Sequence, residues 1–165
     1  MSVLLPVPIE FDLPQGWRAA PPAEVGSPGA AFVAVHFPSD AGFTANITVD
    51  GEYRPDEATL AGIADESVER LGQAVTAVTV TDRREIGSVD APGLSQTLAF
   101  FAIVDGTSIR LIQSQVYLAM LDISDSRKRA VIRLVLTSTA SQHPAVLDDF
   151  KDLVRTVRPV TSATS

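Results

Sequence analysis

Residues 94–121 read LSQTLAFFAIVDGTSIRLIQSQVYLAML. Two runs rich in aliphatic and aromatic residues, Leu94–Val104 and Ser108–Leu121, flank the dipeptide Asp105-Gly106. Such runs favour strands, and Asp-Gly between them is among the strongest signals of a tight hairpin turn. This stretch therefore predicts a long antiparallel hairpin near the centre of a sheet.

Other strand signals lie on both sides of this hairpin. Ala31–Phe37 and Phe43–Tyr53 alternate in period two around a proline- and glycine-containing turn, which predicts a second hairpin. Ala74–Ile86 and Ala130–Thr139 each predict a further long strand, and Ile9–Leu13 predicts a short one.

Two amphipathic segments predict helices. The first begins at Pro55 and continues through Gly72, and the second begins at Pro144 and is stopped by Pro159. The helices bracket a run of hairpin strands and do not alternate with single strands. The fold class is therefore predicted to be α+β, with a mostly antiparallel sheet of about six to seven strands flanked by two main helices.

The composition is that of an ordinary globular domain. The chain has 165 residues, of which 45% are hydrophobic and 20% charged. Residues 1–160 are expected to form a single domain, with 161–165 as a frayed tail. Thirteen basic and twenty acidic residues give a net charge of −7, which repels phosphate backbones, so we expect no nucleic-acid partner.

Membrane insertion is not expected, because no apolar stretch approaches the ~20 residues that cross a bilayer. The sequence has no cysteine, which excludes disulfides, thiolate nucleophiles and acylation at a lipobox. The first residues lack the charged start and the long apolar run of a signal peptide. With neither leader nor lipobox cysteine in the sequence, we expect a cytoplasmic protein.

Residues suited to catalysis or metal binding are few. His36 lies within a predicted strand and His143 at the predicted start of the second helix, so neither is placed as a general base. Asp122, Ser124 and Ser126 resemble the metal-dependent adhesion motif of von Willebrand A domains, but too little chain follows for that fold. They are expected to form a loop without magnesium. We expect no catalytic residue, no metal, no cofactor and no enzymatic activity.

The strand Ala31–Phe37 has apolar residues on both faces. One face is expected to pack under a helix. The other is the candidate partner surface, formed by Phe32, Ala34 and His36. Trp17, which follows a short strand and a turn, is expected to pack into the edge of the domain.

The stretch Phe11–Trp17, read Phe-Asp-Leu-Pro-Gln-Gly-Trp, resembles the opening of actinobacterial proteins similar to the lipoprotein LpqN. The strand Phe43–Val49, the later glutamine-rich strand, the strand Val131–Thr137 and the closing helix with Phe150 continue the resemblance over nearly the whole chain. It implies the fold shared by the photosystem PsbP proteins and the yeast Ran-binding Mog protein. Related DcrB-type proteins include chaperones for secreted effectors.

The missing chemistry and this resemblance together predict a non-catalytic protein-interaction domain with an accessory or chaperone-like role. The expected partner is a protein that the sequence does not identify, and a second copy of the chain, forming a homodimer, is one candidate. The alternative is a carrier of a small lipophilic ligand, motivated by strands that are apolar on both faces.

Overall fold

The computed structural model describes residues 2–3, 8–25, 29–54, 58–88, 91–121 and 129–160. Ten strands, two α-helices and one short 3-10 helix lie in these ranges. In chain order they are β1 (Ser2–Val3), β2 (Ile9–Glu10), β3 (Trp17–Ala20), the 3-10 helix (Pro22–Val25), β4 (Phe32–Asp40), β5 (Phe43–Tyr53), α1 (Leu60–Ala74), β6 (Thr76–Gly87), β7 (Pro92–Val104), β8 (Thr107–Leu121), β9 (Arg129–Thr139), α2 (His143–Thr156) and β10 (Arg158–Pro159).

Seven strands form one antiparallel sheet in the order β3-β4-β5-β9-β8-β7-β6, and β1, β2 and β10 form a small second sheet. The predicted α+β class, with a seven-stranded antiparallel sheet and two main helices, is confirmed. In the small sheet Pro159 pairs with Ile9, which ties the end of the chain to its beginning.

The predicted central hairpin is confirmed. Strands β7 and β8 pair along their length, with Val104 opposite Thr107 at the turn. Asp105 and Gly106 have φ angles of 50° and 78°. Two successive residues with positive φ are typical of the tight turn whose twist matches the strands, and glycine adopts that conformation without a Cβ clash. The predicted hairpin of β4 and β5 is also confirmed, with Asp40 opposite Phe43.

Helix α2 and the segment around β2 cover one face of the sheet over strands β3, β4, β5 and β9. Their apolar side chains form the larger core. Its buried members are Ile9, Phe11, Trp17, Phe32, Ala34, Ala45, Ile47, Val49, Val116, Ile132, Leu134, Leu136, Val146, Phe150 and Leu153. Here Trp17 is 6% exposed, which confirms its expected burial.

Helix α1 covers the opposite face, over β6, β7 and β8. The helix starts at Leu60, so its predicted start at Pro55 is wrong. Thr59 has extended backbone angles, and its hydroxyl accepts a 3.0 Å hydrogen bond from the Gly62 N–H, so this N-cap ends the non-helical stretch. Residues 55–57 lie outside the described ranges.

Two other predicted boundaries are wrong. Helix α2 ends at Thr156, before Pro159, because the next residues leave the helix to pair with β2. The strand predicted at Ile9–Leu13 is limited to Ile9–Glu10. Beyond Glu10, the chain leaves the small sheet and Phe11 enters the core.

Strand β6 is an outer strand of the large sheet and pairs irregularly with β7. Its register shifts between Thr76 and Thr79 and again between Val80 and Asp82, and Ala77 has a φ of 56°. Strand β6 also carries the charged run Asp-Arg-Arg-Glu at 82–85.

The Trp17 side chain joins β3 to α2, which gives a test of the edge packing. Its ring centroid lies 5.1 Å from that of His36, and its indole N–H donates to Asp149 at 3.0 Å. We expect Trp17→Ala to lower the free energy of unfolding by about 3–5 kcal/mol, since a buried indole is lost. Trp17→Phe, which keeps most of the ring but not the hydrogen bond, should cost less. Urea unfolding measures both, and an unchanged midpoint for Trp17→Ala would contradict the packing.

Candidate functional site

The predicted partner surface at Phe32, Ala34 and His36 does not lie open. Phe32 is 8% exposed and Ala34 is fully buried. The Phe32 ring packs edge-on against that of Phe11, with the ring centroids 5.1 Å apart. Their selection as surface residues is wrong because α2 and the β2 segment cover this face of β4. His36 is partly exposed and packs on Trp17. On the opposite face Val33 and Val35 are also buried, while Phe37 is 51% exposed.

The surface that is open to solvent lies elsewhere. It is the part of the sheet on the same face as α2 that the helix does not cover. One row of side chains across β9, β8, β7 and β6 reads Leu134, Val116, Ser95 and Arg84. The next row reads Leu136, Ser114, Thr97 and Asp82. Along both rows the side chains change from apolar under α2 to hydroxyl and then to charged at the sheet edge.

These rows and α2 enclose a groove of about 700 Å³ that is open to solvent; we call it the α2 groove. Its apolar surface is supplied by Ile86, Val116, Leu147, Phe150 and Val154. The α2 groove was not predicted from the sequence. The available signal was the alternation in β7, where Ser95 and Thr97 oppose the apolar Leu94 and Leu98 on the other face.

The charged side chains of the α2 groove stand on both of its walls. Arg84 on β6 forms a bidentate ion pair with Asp82 on the same strand, in which its guanidinium donates hydrogen bonds of 3.0 and 3.2 Å to the carboxylate. Lys151 and Arg155 lie on α2. Arg155 pairs with Asp152 at 3.0 Å, whereas Lys151 makes no ion pair with any residue that the structure describes.

His143, the first residue of α2, lies at the inner end of the α2 groove between two serines. Its Nε2 is 2.9 Å from the Ser114 hydroxyl oxygen and its Nδ1 is 2.7 Å from that of Ser138. The imidazole is buried, and burial lowers its pKa. Neutral imidazole offers one donor and one acceptor, which the two hydroxyls satisfy.

The serine–histidine contact is unsuited to acyl transfer. Ser138 offers a neutral hydroxyl where a carboxylate would stabilise the imidazolium that forms during catalysis. Ser114 lies inside β8, between Thr97 of β7 and Leu136 of β9, so the surrounding backbone N–H groups are committed to the sheet and not to an oxyanion. His143 therefore anchors the start of α2 to the sheet.

A hydrogen-bonded network of buried polar side chains lies under α1. The Gln96 amide donates to Gln115 at 2.7 Å and to the Ala64 carbonyl at 3.4 Å, and the Tyr117 hydroxyl donates to Gln115 at 2.8 Å. Arg83 donates to Gln96 at 2.7 and 3.0 Å. Because these groups satisfy one another, the network fastens the helix to the sheet without an unpaired buried amide.

A polar pocket of about 440 Å³ lies beyond α1 on the same face. Arg133 donates to Asp50 at 3.4 Å, and Arg70 and Glu52 also line the pocket. Burial raises the pKa of the Asp50 carboxyl, although the nearby Arg133 charge acts in the opposite direction. These two cations and two carboxylates compensate one another and leave little net field for a charged ligand.

Within the described ranges, no cluster of three or more acidic, histidine or cysteine side chains could hold a metal ion. Asp122, Ser124 and Ser126 lie outside the described residues. No helix in the described part of the chain is long and apolar enough to span a membrane.

The known proteins that resemble this chain do so in structure and not in sequence. No family profile and no curated sequence matches the chain. LpqN of Mycobacterium tuberculosis, described as involved in cell envelope biogenesis, superposes with a TM-score of 0.63 at 13% identity, over 90% of this chain and 81% of its own. The Ran-binding protein Mog1p of Saccharomyces cerevisiae superposes at 0.60 and 15% identity, over 94% and 92%.

The cyanobacterial PsbP of Synechocystis is also similar, with a TM-score of 0.56 at 14% identity over 92% of this chain and 86% of its own. At such low identity these likenesses establish the fold and nothing finer. The chain therefore has the α+β fold of the PsbP and Mog1 proteins.

The network under α1 predicts that its central amide is needed for stability. Gln115→Ala should lower the free energy of unfolding by about 3 kcal/mol, since each buried polar group left without a partner costs about 1–3 kcal/mol. Asp65→Ala removes the exposed end of the same network, a 2.8 Å ion pair with Arg83, and should change stability little. Equal losses for the two variants, measured by urea unfolding, would show that the buried amides are not the stabilising part.

The lowered pKa of His143 predicts a pH dependence of stability. The unfolded chain takes up a proton near pH 6.5, whereas the folded chain resists protonation until a lower pH. The unfolded state then binds more protons, so the free energy of unfolding should fall as the pH decreases below about 6.5. Urea unfolding between pH 7.5 and about 5.5 should show a shallower slope for His143→Gln than for the wild type. Identical slopes would show that His143 is not the group that makes stability depend on pH in this range.

Proposed function

We propose that this chain is a non-catalytic protein-interaction domain with an accessory or chaperone-like role. The observation that carries the proposal is the α2 groove, an open concave surface with apolar walls, hydroxyls on its floor and charges at its rim. Apolar centres surrounded by polar rims are typical of protein-interaction surfaces. A protein of similar fold supports a binding role, since Mog1p is by name a Ran-binding protein.

The chemistry of the described side chains supports a role without catalysis. Their one buried histidine, His143, is held between two serine hydroxyls and anchors a helix. The alternative hypothesis, that the chain carries a small lipophilic ligand, is less well supported. A carrier needs a deep apolar cavity, whereas the α2 groove opens to solvent and has the hydroxyls of Ser95, Thr97 and Ser114 on its floor.

A groove-filling variant tests the proposal. Ser95 is partly exposed on the groove floor, so Ser95→Phe should occupy the space that a partner needs while the strand stays intact. The matched control is Ser108→Phe, on an exposed position of β8 near the hairpin turn. Cross-linking and affinity capture from the source organism should recover a partner protein with the wild type and the control but not with Ser95→Phe.

The alternative function, a carrier of a lipophilic ligand, is tested on the wild type and the same two variants. A fluorescent fatty acid should bind none of them with micromolar affinity. Saturable binding by the wild type that Ser95→Phe abolishes, with no protein captured, would replace the interaction function by that of a carrier.

A further inference from the structure

We infer that the α2 groove binds an extended peptide segment in which apolar side chains are flanked by carboxylates. The inference rests on the proposed function and specifies the partner. Three properties of the groove carry it: partly exposed apolar walls, the partly exposed hydroxyls of Ser95 and Thr97 on the floor, and the excess positive charge of Lys151 on the rim.

The apolar walls are incompletely covered by the protein itself. Phe150 and Val116 are 1% and 7% exposed and belong to the core, but Ile86, Leu147 and Val154 are half-buried where they face the groove. A volume of about 700 Å³ lies within the range of ligand-binding clefts. Apolar side chains of a ligand would complete the burial of these three residues, which favours binding by removing more apolar surface from water.

The floor offers polar groups at strand spacing. Ser95 and Thr97 are two residues apart on β7, point to the same face and are partly exposed. Among the described residues, neither hydroxyl has a side-chain hydrogen-bond partner, whereas the neighbouring Thr81 hydroxyl donates to the Thr97 carbonyl at 3.3 Å. Hydroxyls at this spacing can donate to and accept from the backbone of an extended segment, whose own groups also repeat every two residues.

Two of the three cations on the rim, Arg84 and Arg155, are paired with Asp82 and Asp152, which leaves Lys151 as the excess positive charge. The chain has a net charge of −7, yet three cationic residues and one acidic residue line the groove: Arg84, Lys151, Arg155 and Asp82. The cations stand on both walls, and Lys151 has no ionic partner among the described residues. Charge complementarity of this kind selects partners and fixes their register, so carboxylates are the groups that this rim recognises on an otherwise repulsive surface.

A displayed library of random peptides, screened against the whole chain, tests the inference. The expected enrichment is for peptides that combine Leu, Ile, Val or Phe with Asp or Glu. Labelled synthetic copies of the enriched peptides should bind the wild type, and Lys151→Glu should weaken binding at least about tenfold, as expected when a rim attraction becomes a repulsion. Arg110→Glu is the matched control, since it makes the same charge change at an exposed position of β8 that does not line the groove.

Binding that the control preserves, and that Lys151→Glu and Ser95→Phe both weaken, supports the inference. It is overturned if basic or uncharged peptides are enriched, if Lys151→Glu and Arg110→Glu weaken binding equally, or if nothing is enriched. Thermal unfolding of each variant checks that the fold is retained. If the enriched peptides bind Ser95→Phe as tightly as the wild type, the α2 groove is not their binding site. The inference would then be overturned, whereas the proposed interaction function would stand. If no peptide is enriched and the chain binds the fatty acid saturably, both the peptide inference and the proposed interaction function are overturned.

Discussion

One helix cannot cover one face of a seven-stranded sheet. Helix α2 has 14 residues and is about 21 Å long and about 10 Å wide. Seven strands spaced by about 4.8 Å extend about 29 Å across. Each helix therefore shields part of one face, and here α1 and α2 lie on opposite faces and over opposite halves of the sheet. The α2 groove and the polar pocket beyond α1 both lie where the sheet extends past a helix.

The two half-covered faces are joined to their helices in different ways. Under α2 the contact is mostly apolar, with Phe150 and Leu153 packed on the side chains of the central strands. Under α1 the contact includes the bonded amides of Gln96 and Gln115. Apolar packing tolerates sliding more readily than a satisfied polar network, in which each bond requires one geometry. The network thus fixes where α1 lies along the strands.

The features that were predicted correctly from the sequence are local ones. The Asp105-Gly106 turn needs only its own backbone preference, and the amphipathic period identified both helices. The incorrect or missing predictions concern residues whose burial depends on distant segments of the chain. Strand β3 was not expected, and the faces of β4 were misassigned, because α2, which begins only at His143, covers Phe32 and Ala34. The α2 groove likewise consists of β6, β7, β8 and α2 side by side, a proximity that periodicity within one element does not contain.

The irregular outer strand β6 also affects how the molecule behaves at high concentration. A straight edge strand offers a row of unpaired N–H and C=O groups on which a second chain can grow as a fibril. In β6 two register shifts, the left-handed Ala77 and a run of four charged residues interrupt that row. Replacing these distortions with regular apolar strand would straighten the edge, and such a chain would be prone to amyloid-like growth even while its fold stayed intact.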